Sequence, residues 1–169
     1  MKIFFSPKTQ NHSPKTFISR GHVIESPERA ERADILRTAV ENAGHTITEI
    51  FSEHHHSALD IHDEAYISFL KNGWQQWSIL DGSSEEIIPN VHPGRNMNAN
   101  PSAIVSAAGY YQADTACPIG EKTWEGAKAS ADTVIAAASN LLDRHKNNEH
   151  ENFVYSLCRP PGHHAYADQ

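Results

Sequence analysis

With 169 residues, 38% of them hydrophobic and 21% charged, the chain has the size and composition of one globular domain with a real core, which excludes a disordered segment. Its formal net charge of −7, without a Lys/Arg run, argues against nucleic-acid binding, which rests on neutralising phosphates; an acidic surface suits cationic partners such as polyamines or lysine-rich tails. Two cysteines, Cys117 and Cys158, exclude a disulfide scaffold and are expected as reduced thiols of a cytoplasmic protein, and no apolar stretch has the length of a signal-peptide core or a membrane span.

Ile3 to Ser6 reads as a first short strand closed by Pro7, and the polar residues 7–25 read as a long loop. Ser26 is placed to cap a helix, with Pro27 at its first position and Glu28 favouring its N-terminal dipole. Ala33, Leu36, Val40 and Ala43 give that helix an apolar face, and Gly44 ends it. A second strand is expected over Thr46 to Phe51. Tyr66, Phe69, Leu70, Trp74 and Trp77 fall at helical spacing, interrupted by Gly73, and the Gly-, Ser-, Asn- and Pro-rich residues 81–101 read as an extended surface loop. A short Ala-rich helix over 102–113 follows. The strongest helix runs from about Thr123 to His145, with Trp124, Ala127, Ala131, Val134, Ile135, Ala138, Leu141 and Leu142 at i, i+3, i+4 spacing. The last strand is Phe153 to Leu157.

This alternation of strands and helices predicts an α/β fold with a mostly parallel sheet flanked by helices. Sites in such sheets gather beyond the C-terminal ends of strands. The last strand leads into Arg159-Pro160-Pro161-Gly162-His163-His164-Ala165. The prolines stiffen the exit, and Gly162 allows either a backbone conformation closed to other residues or close approach of a ligand. Adjacent imidazoles can divide general-base and general-acid work. A His-His pair is most often a solvated loop feature; the Pro-Pro-Gly lead-in after an apolar strand favours chemistry here.

Arg159 to Ala165 resembles the tandem-histidine loop of the zinc-dependent histone deacetylase and acetylpolyamine amidohydrolase family. Further resemblances follow in order: Ser26-Pro27-Glu28-Arg29-Ala30-Glu31-Arg32 to a His-Pro-Glu-x-Pro-x-Arg helix start, His62 to Leu70 to a His-x-x-x-Tyr-x-x-x-Leu helix, then Gly109-Tyr110-Tyr111, Asp114-Thr115 and Thr123-Trp124-Glu125. The resemblance covers nearly the whole chain. It implies the N-terminal part of a single arginase/deacetylase-type domain, residues 1–169, with an inserted loop at 81–101. It implies His163 and His164 as the base and acid pair beside a zinc-bound water, Gly162 and Asp114 as substrate-binding residues, and Arg32, or alternatively Arg29, beside an internal channel. The implied reaction hydrolyses an acetyl amide of a small acetylated amine or acetyl-lysine.

The family's zinc ligands, Asp-x-His and a later Asp, are expected beyond Gln169, so no metal ligand is assigned within this chain and the chain alone is expected to be inactive. Asp60-Ile61-His62 imitates the ligand pair but falls where the family has a structural histidine. His54-His55-His56, His12, His22, His92 and the two cysteines offer no convincing alternative. Polyamine-specific relatives carry a glutamate where Val105 stands, which leaves the acylated substrate open. A homo-oligomer is expected, with neither nucleic acid nor membrane as partner. The other readings are a non-catalytic interaction module that presents the 81–101 loop, and a histidine-rich metal-binding protein.

Overall fold

A computed structural model describes residues 1–51, 58–97, 101–147, 153–162 and 164–169. In chain order the elements are β1 (Lys2–Phe5), a 3-10 turn (Pro7–Asn11), β2 (Thr16–Ser19), β3 (His22–Glu25), α1 (Glu31–Asn42), β4 (Thr46–Glu49), a 3-10 turn (Ala58–Asp60), α2 (Glu64–Ser78), α3 (Ile104–Tyr111), α4 (Thr123–Lys146) and β5 (Val154–Leu157). They form two compact units: Met1–Ser13, Glu28–His55 and Glu125–Pro161 make the first, and Pro14–Pro27, His56–Trp124 and Gly162–Gln169 the second.

The first unit is built on a parallel sheet of order β4-β1-β5. The central strand reads Ile3-Phe4-Phe5, a continuous apolar run, because both its faces are covered. Ile3 and Phe5 pack with Leu157 against Ala33, Val40 and Ile47. Phe4 faces the other way, onto Ala136 and Ala137 of α4. The sheet is therefore sandwiched between α1 and α4.

Two expectations about these helices are corrected. α1 begins at Glu31, with Ala30 as its uncapped N-cap residue. Ser26 lies outside any helix, five residues before α1 begins, and its N–H donates to Lys15 O at 2.9 Å. On α1, Ala33 and Val40 pack inward, whereas Leu36 and Ala43 are exposed. α4 falls where expected but buries a different face. Gly126, Ala129, Asp132, Thr133, Ala136 and Ala137 are buried, while Ala131, Val134, Ala138 and Leu142 are exposed. The reason is closeness: a Cβ on Gly126 would lie 2.8 Å from His12 Cβ, so this face is made of small side chains. The Thr133 hydroxyl satisfies itself on Ala129 O at 2.7 Å.

In the second unit, residues 16–25 form an antiparallel hairpin rather than a loop. Its tip, Arg20-Gly21, has two positive φ angles, 52° and 80°. α2 runs unbroken through Gly73, which is buried against the Phe69 ring. Phe69, Ile87, Ala108 and Ile119 form the core, joined by Tyr66, Leu70, Trp74, Trp77, Ile104 and Tyr111.

Segment 81–101 is only partly a surface loop. Glu86, Ile87 and Pro89 are buried, and Ile87 exchanges backbone hydrogen bonds with Ile119 at 2.8 and 3.1 Å. The Trp74 and Trp77 indoles donate to Glu85 O and Ser84 O, each at 3.0 Å. At Gly109 the backbone of Val91 comes so close that a Cβ would sit 1.6 Å from Val91 O. Residues 93–97 are exposed.

Candidate active site

The parallel strands of the first unit end together, and β5 continues into Cys158 and Arg159. Arg159 is 4% exposed. Its Nε donates to Glu28 Oε1 at 2.8 Å, its Nη1 to Thr9 O at 3.0 Å and His12 O at 2.6 Å, and its Nη2 to Glu28 O at 3.2 Å. A buried guanidinium is tolerated only when paired and hydrogen-bonded, and both conditions are met here. Glu28, expected to serve a helix dipole, is instead the counter-ion of this anchor.

Arg32, the expected channel residue, pairs with the other oxygen of the same carboxylate and is more than half exposed. It lines a shallow cleft with Glu28, Leu36, Tyr155, Cys158 and Pro161. Arg29, the alternative, is exposed. Burial, and then the Arg159 guanidinium, holds His12 at about 4 rather than its usual 6.5, so His12 is a neutral core residue at neutral pH. Burial pushes the Cys158 thiol up, and its Sγ donates to Ser130 O at 3.4 Å; it is a thiol, not a ligand-ready thiolate.

The second unit holds the remaining site residues. Gly162 has no positive φ and no neighbour within 4 Å of a would-be Cβ. Of its two expected roles, the unusual backbone conformation is therefore overturned and open space for an approaching group remains. His164 is exposed, in a turn closed by Ala165 N donating to Gly162 O at 3.1 Å. His163 lies outside the described residues.

The tail beyond this turn is docked. Asp63 N donates to Ala167 O at 2.8 Å, and the His62 ring meets Tyr166 O at 2.8 Å. Gln169 Nε2 donates to Tyr110 O at 3.3 Å. The His62 ring thus joins the start of α2 to this tail. The tail is fastened to the start of α2 and the end of α3, and α3 leads directly to Asp114. Asp114 is exposed, and its Oδ1 accepts from Ala116 N at 2.7 Å.

Among the remaining candidates, His22 is exposed on β3, and His92 Nδ1 meets Gly109 O at 3.1 Å. His54, His55 and His56 lie outside the described residues. Cys117 Sγ donates to Asp114 O at 3.5 Å. Val105 is exposed on the first turn of α3. Among the described residues no group of three or more His, Cys, Asp or Glu side chains converges as a metal site, and no helix is long and apolar enough to cross a membrane.

Residue-type reasoning had not singled out Arg159 as an anchor, nor Gln112. Gln112 is buried immediately after α3, and its Nε2 donates to Cys117 O at 2.8 Å and Ile87 O at 3.2 Å. A polar residue closing an apolar helix was the available signal.

The histone deacetylase domain matches residues 24–169 of the chain. The chain is 33% identical over 169 residues to an acetylpolyamine amidohydrolase of Burkholderia pseudomallei, covering 99% of this chain and 47% of that protein. It is 30% identical over 171 residues to an acetylpolyamine amidohydrolase of Mycoplana ramosa, covering 99% and 48% respectively. A crystal structure of the acetylpolyamine aminohydrolase from Burkholderia pseudomallei matches with a TM-score of 0.85 at 33% identity, over 99% of this chain and 47% of that one. The chain spans about half the length of these relatives.

Proposed function

The chain belongs to the histone deacetylase domain family, and from that premise we propose that the protein is an amidohydrolase that removes acetyl groups from acetylated amines, with an acetylpolyamine or acetyl-lysine as substrate. The observation that supports this most is the Arg159 anchor. The segment most specific to the family starts from a buried arginine held by four hydrogen bonds, so the residues after it leave the core at a fixed point. In this reading His163 and His164 move the protons of amide hydrolysis, one taking a proton from water and the other giving one to the leaving amine. Asp114 offers a carboxylate oxygen to the substrate, Gly162 leaves room for it, and Arg32 faces the internal channel.

Zinc is the group the family resemblance implies. The described residues do not supply a metal site. We propose that residues beyond this chain complete the site, that the 169-residue chain alone does not hydrolyse acetyl amides, and that the whole enzyme is a cytoplasmic homo-oligomer.

The test is turnover and bound zinc measured together in the full-length protein, with an acetylated diamine and an acetyl-lysine peptide. His163→Ala and His164→Ala should each lower turnover by roughly 10²- to 10⁴-fold while zinc content holds. Unchanged turnover on both substrates sinks the proton-transfer roles. Zinc lost in step with activity puts the pair among the metal ligands instead.

A further inference from the structure

The turn bearing Asp114 is gripped from two sides within the second unit. On one side is the hairpin: Thr115 Oγ1 donates to Ile18 O at 3.0 Å, and Ile18 N donates to Thr115 O at 3.2 Å. Thr115 is thus docked on β2, next to the exposed Asp114. On the other side is Gln112, whose amide spans from Cys117 O to Ile87 O. The hairpin is itself held at its base. Glu86, 8% exposed, accepts from Lys15 N at 2.9 Å and Thr16 N at 3.2 Å.

A solvent-exposed turn of five residues, 113–117, does not need this much fixing to be stable. It does need it if one of its side chains must meet a ligand in a set position. The Asp114 carboxylate accepts from Ala116 N through Oδ1, and the Cys117 thiol of the same turn also bears on it, so its rotation is set from within the turn. Between them, Thr115 sets where the backbone of the turn lies and Ala116 sets how the carboxylate points.

We propose that Thr115 is a positioning residue that aims the Asp114 carboxylate at a hydrogen-bond donor of the acylated amine, using the β2–β3 hairpin as its rigid support. The inference rests on the substrate-binding role of Asp114 proposed above. A group held in place before binding loses less freedom when substrate arrives, so the loss of its support is felt in binding before chemistry.

The experiment is steady-state kinetics of the full-length enzyme on one acetylated amine, for T115V, T115S and D114N, with thermal unfolding of each. T115V keeps the shape and loses the hydroxyl bond. It should raise KM by about two- to tenfold with kcat held, T115S should keep the wild-type KM, and D114N should raise KM at least as much as T115V. A wild-type KM in T115V beside a raised KM in D114N overturns the positioning role and leaves that of Asp114 intact. A wild-type KM in D114N overturns both. A fall in kcat that tracks lost thermal stability in T115V, or an equal rise in KM in T115S, also overturns the assignment.

Discussion

The two compact units are held together in different ways. In the first, regular elements do the work: a buried parallel strand, Ile3-Phe4-Phe5, has a helix on each face. In the second, side chains reach across to backbone groups. Trp74, Trp77, Gln112, His92, Thr115 and Glu86 each fasten an irregular segment through a backbone group, some near in sequence and some far. Apolar burial is non-directional and tolerates some shift, whereas such ties require particular atoms at particular separations. The second unit, which holds Asp114 and His164, should therefore be the less forgiving of backbone displacement.

The strongest test of this difference is Gly109→Ala. Alanine is the better helix former, and α3 would gain up to about 1 kcal/mol from it if nothing else changed. The added Cβ would instead lie 1.6 Å from Val91 O, a backbone atom that cannot rotate away. The 91–92 segment must shift, and with it the contact between His92 and Gly109 O. We expect a loss on the order of 4 kcal/mol or more by urea unfolding. A variant as stable as the wild type would mean that the second unit yields as easily as an apolar core.

The same contrast accounts for what the sequence made legible. β1, β5 and α4 were readable because apolar runs and helical periodicity are local signals. The buried face of α4 was not, because a count of apolar residues favours Val134 and Leu142 over Gly126 and Ala129, and close packing needs the small ones. The start of α1 was misplaced because Ser26 and Glu28 resemble caps but bond to Lys15 and Arg159. At the candidate site, the tandem-histidine segment stands out in the sequence through its unusual composition. Its anchor was not: the acceptors of Arg159 lie 131 to 150 residues earlier in the chain, and no local pattern announces them.

The first unit has exacting contacts of its own at the buried Arg159, and His12 beside that guanidinium is open to a pH test. His12 is held at about 4 in the folded protein against 6.5 as its ordinary value. Between those values the unfolded chain binds a proton that the folded one does not. The stability is therefore fully present above about pH 6.5 and is lost as pH falls towards 4, by roughly 2 to 3 kcal/mol. Denaturant midpoints measured at pH 7.5 and 4.5 should show this fall, and His12→Gln should flatten it while lowering stability at pH 7.5. Equal pH slopes in the two proteins would mean that His12 is not the group responsible.

The smallest expected effect concerns the hairpin that supports the Asp114 turn, and it isolates a second reason for glycine. At Gly109 the backbone conformation is ordinary and the space is missing. At Gly21 nothing lies within 4 Å, but φ is +80°. Its neighbour Arg20 has φ 52°, which crowds the Cβ of an L-residue against the following carbonyl. Two-residue hairpin turns with both φ angles positive favour Asn-Gly and Asp-Gly, and Arg-Gly lacks that signature, so residues 16–25 did not declare themselves as paired strands. Asparagine tolerates the left-handed region better, so Arg20→Asn should stabilise the protein by roughly 0.5 kcal/mol. Gly21→Ala should cost about 1 kcal/mol through backbone strain alone. Because Ala at Gly21 meets no neighbouring atom, its cost should stay well below that of Gly109→Ala. Paired urea titrations resolve the order: if the two glycine variants cost the same, close approach of backbone is not what makes the second unit exacting, and if Arg20→Asn destabilises, the Arg20 side chain contributes more at the tip than its strained backbone costs.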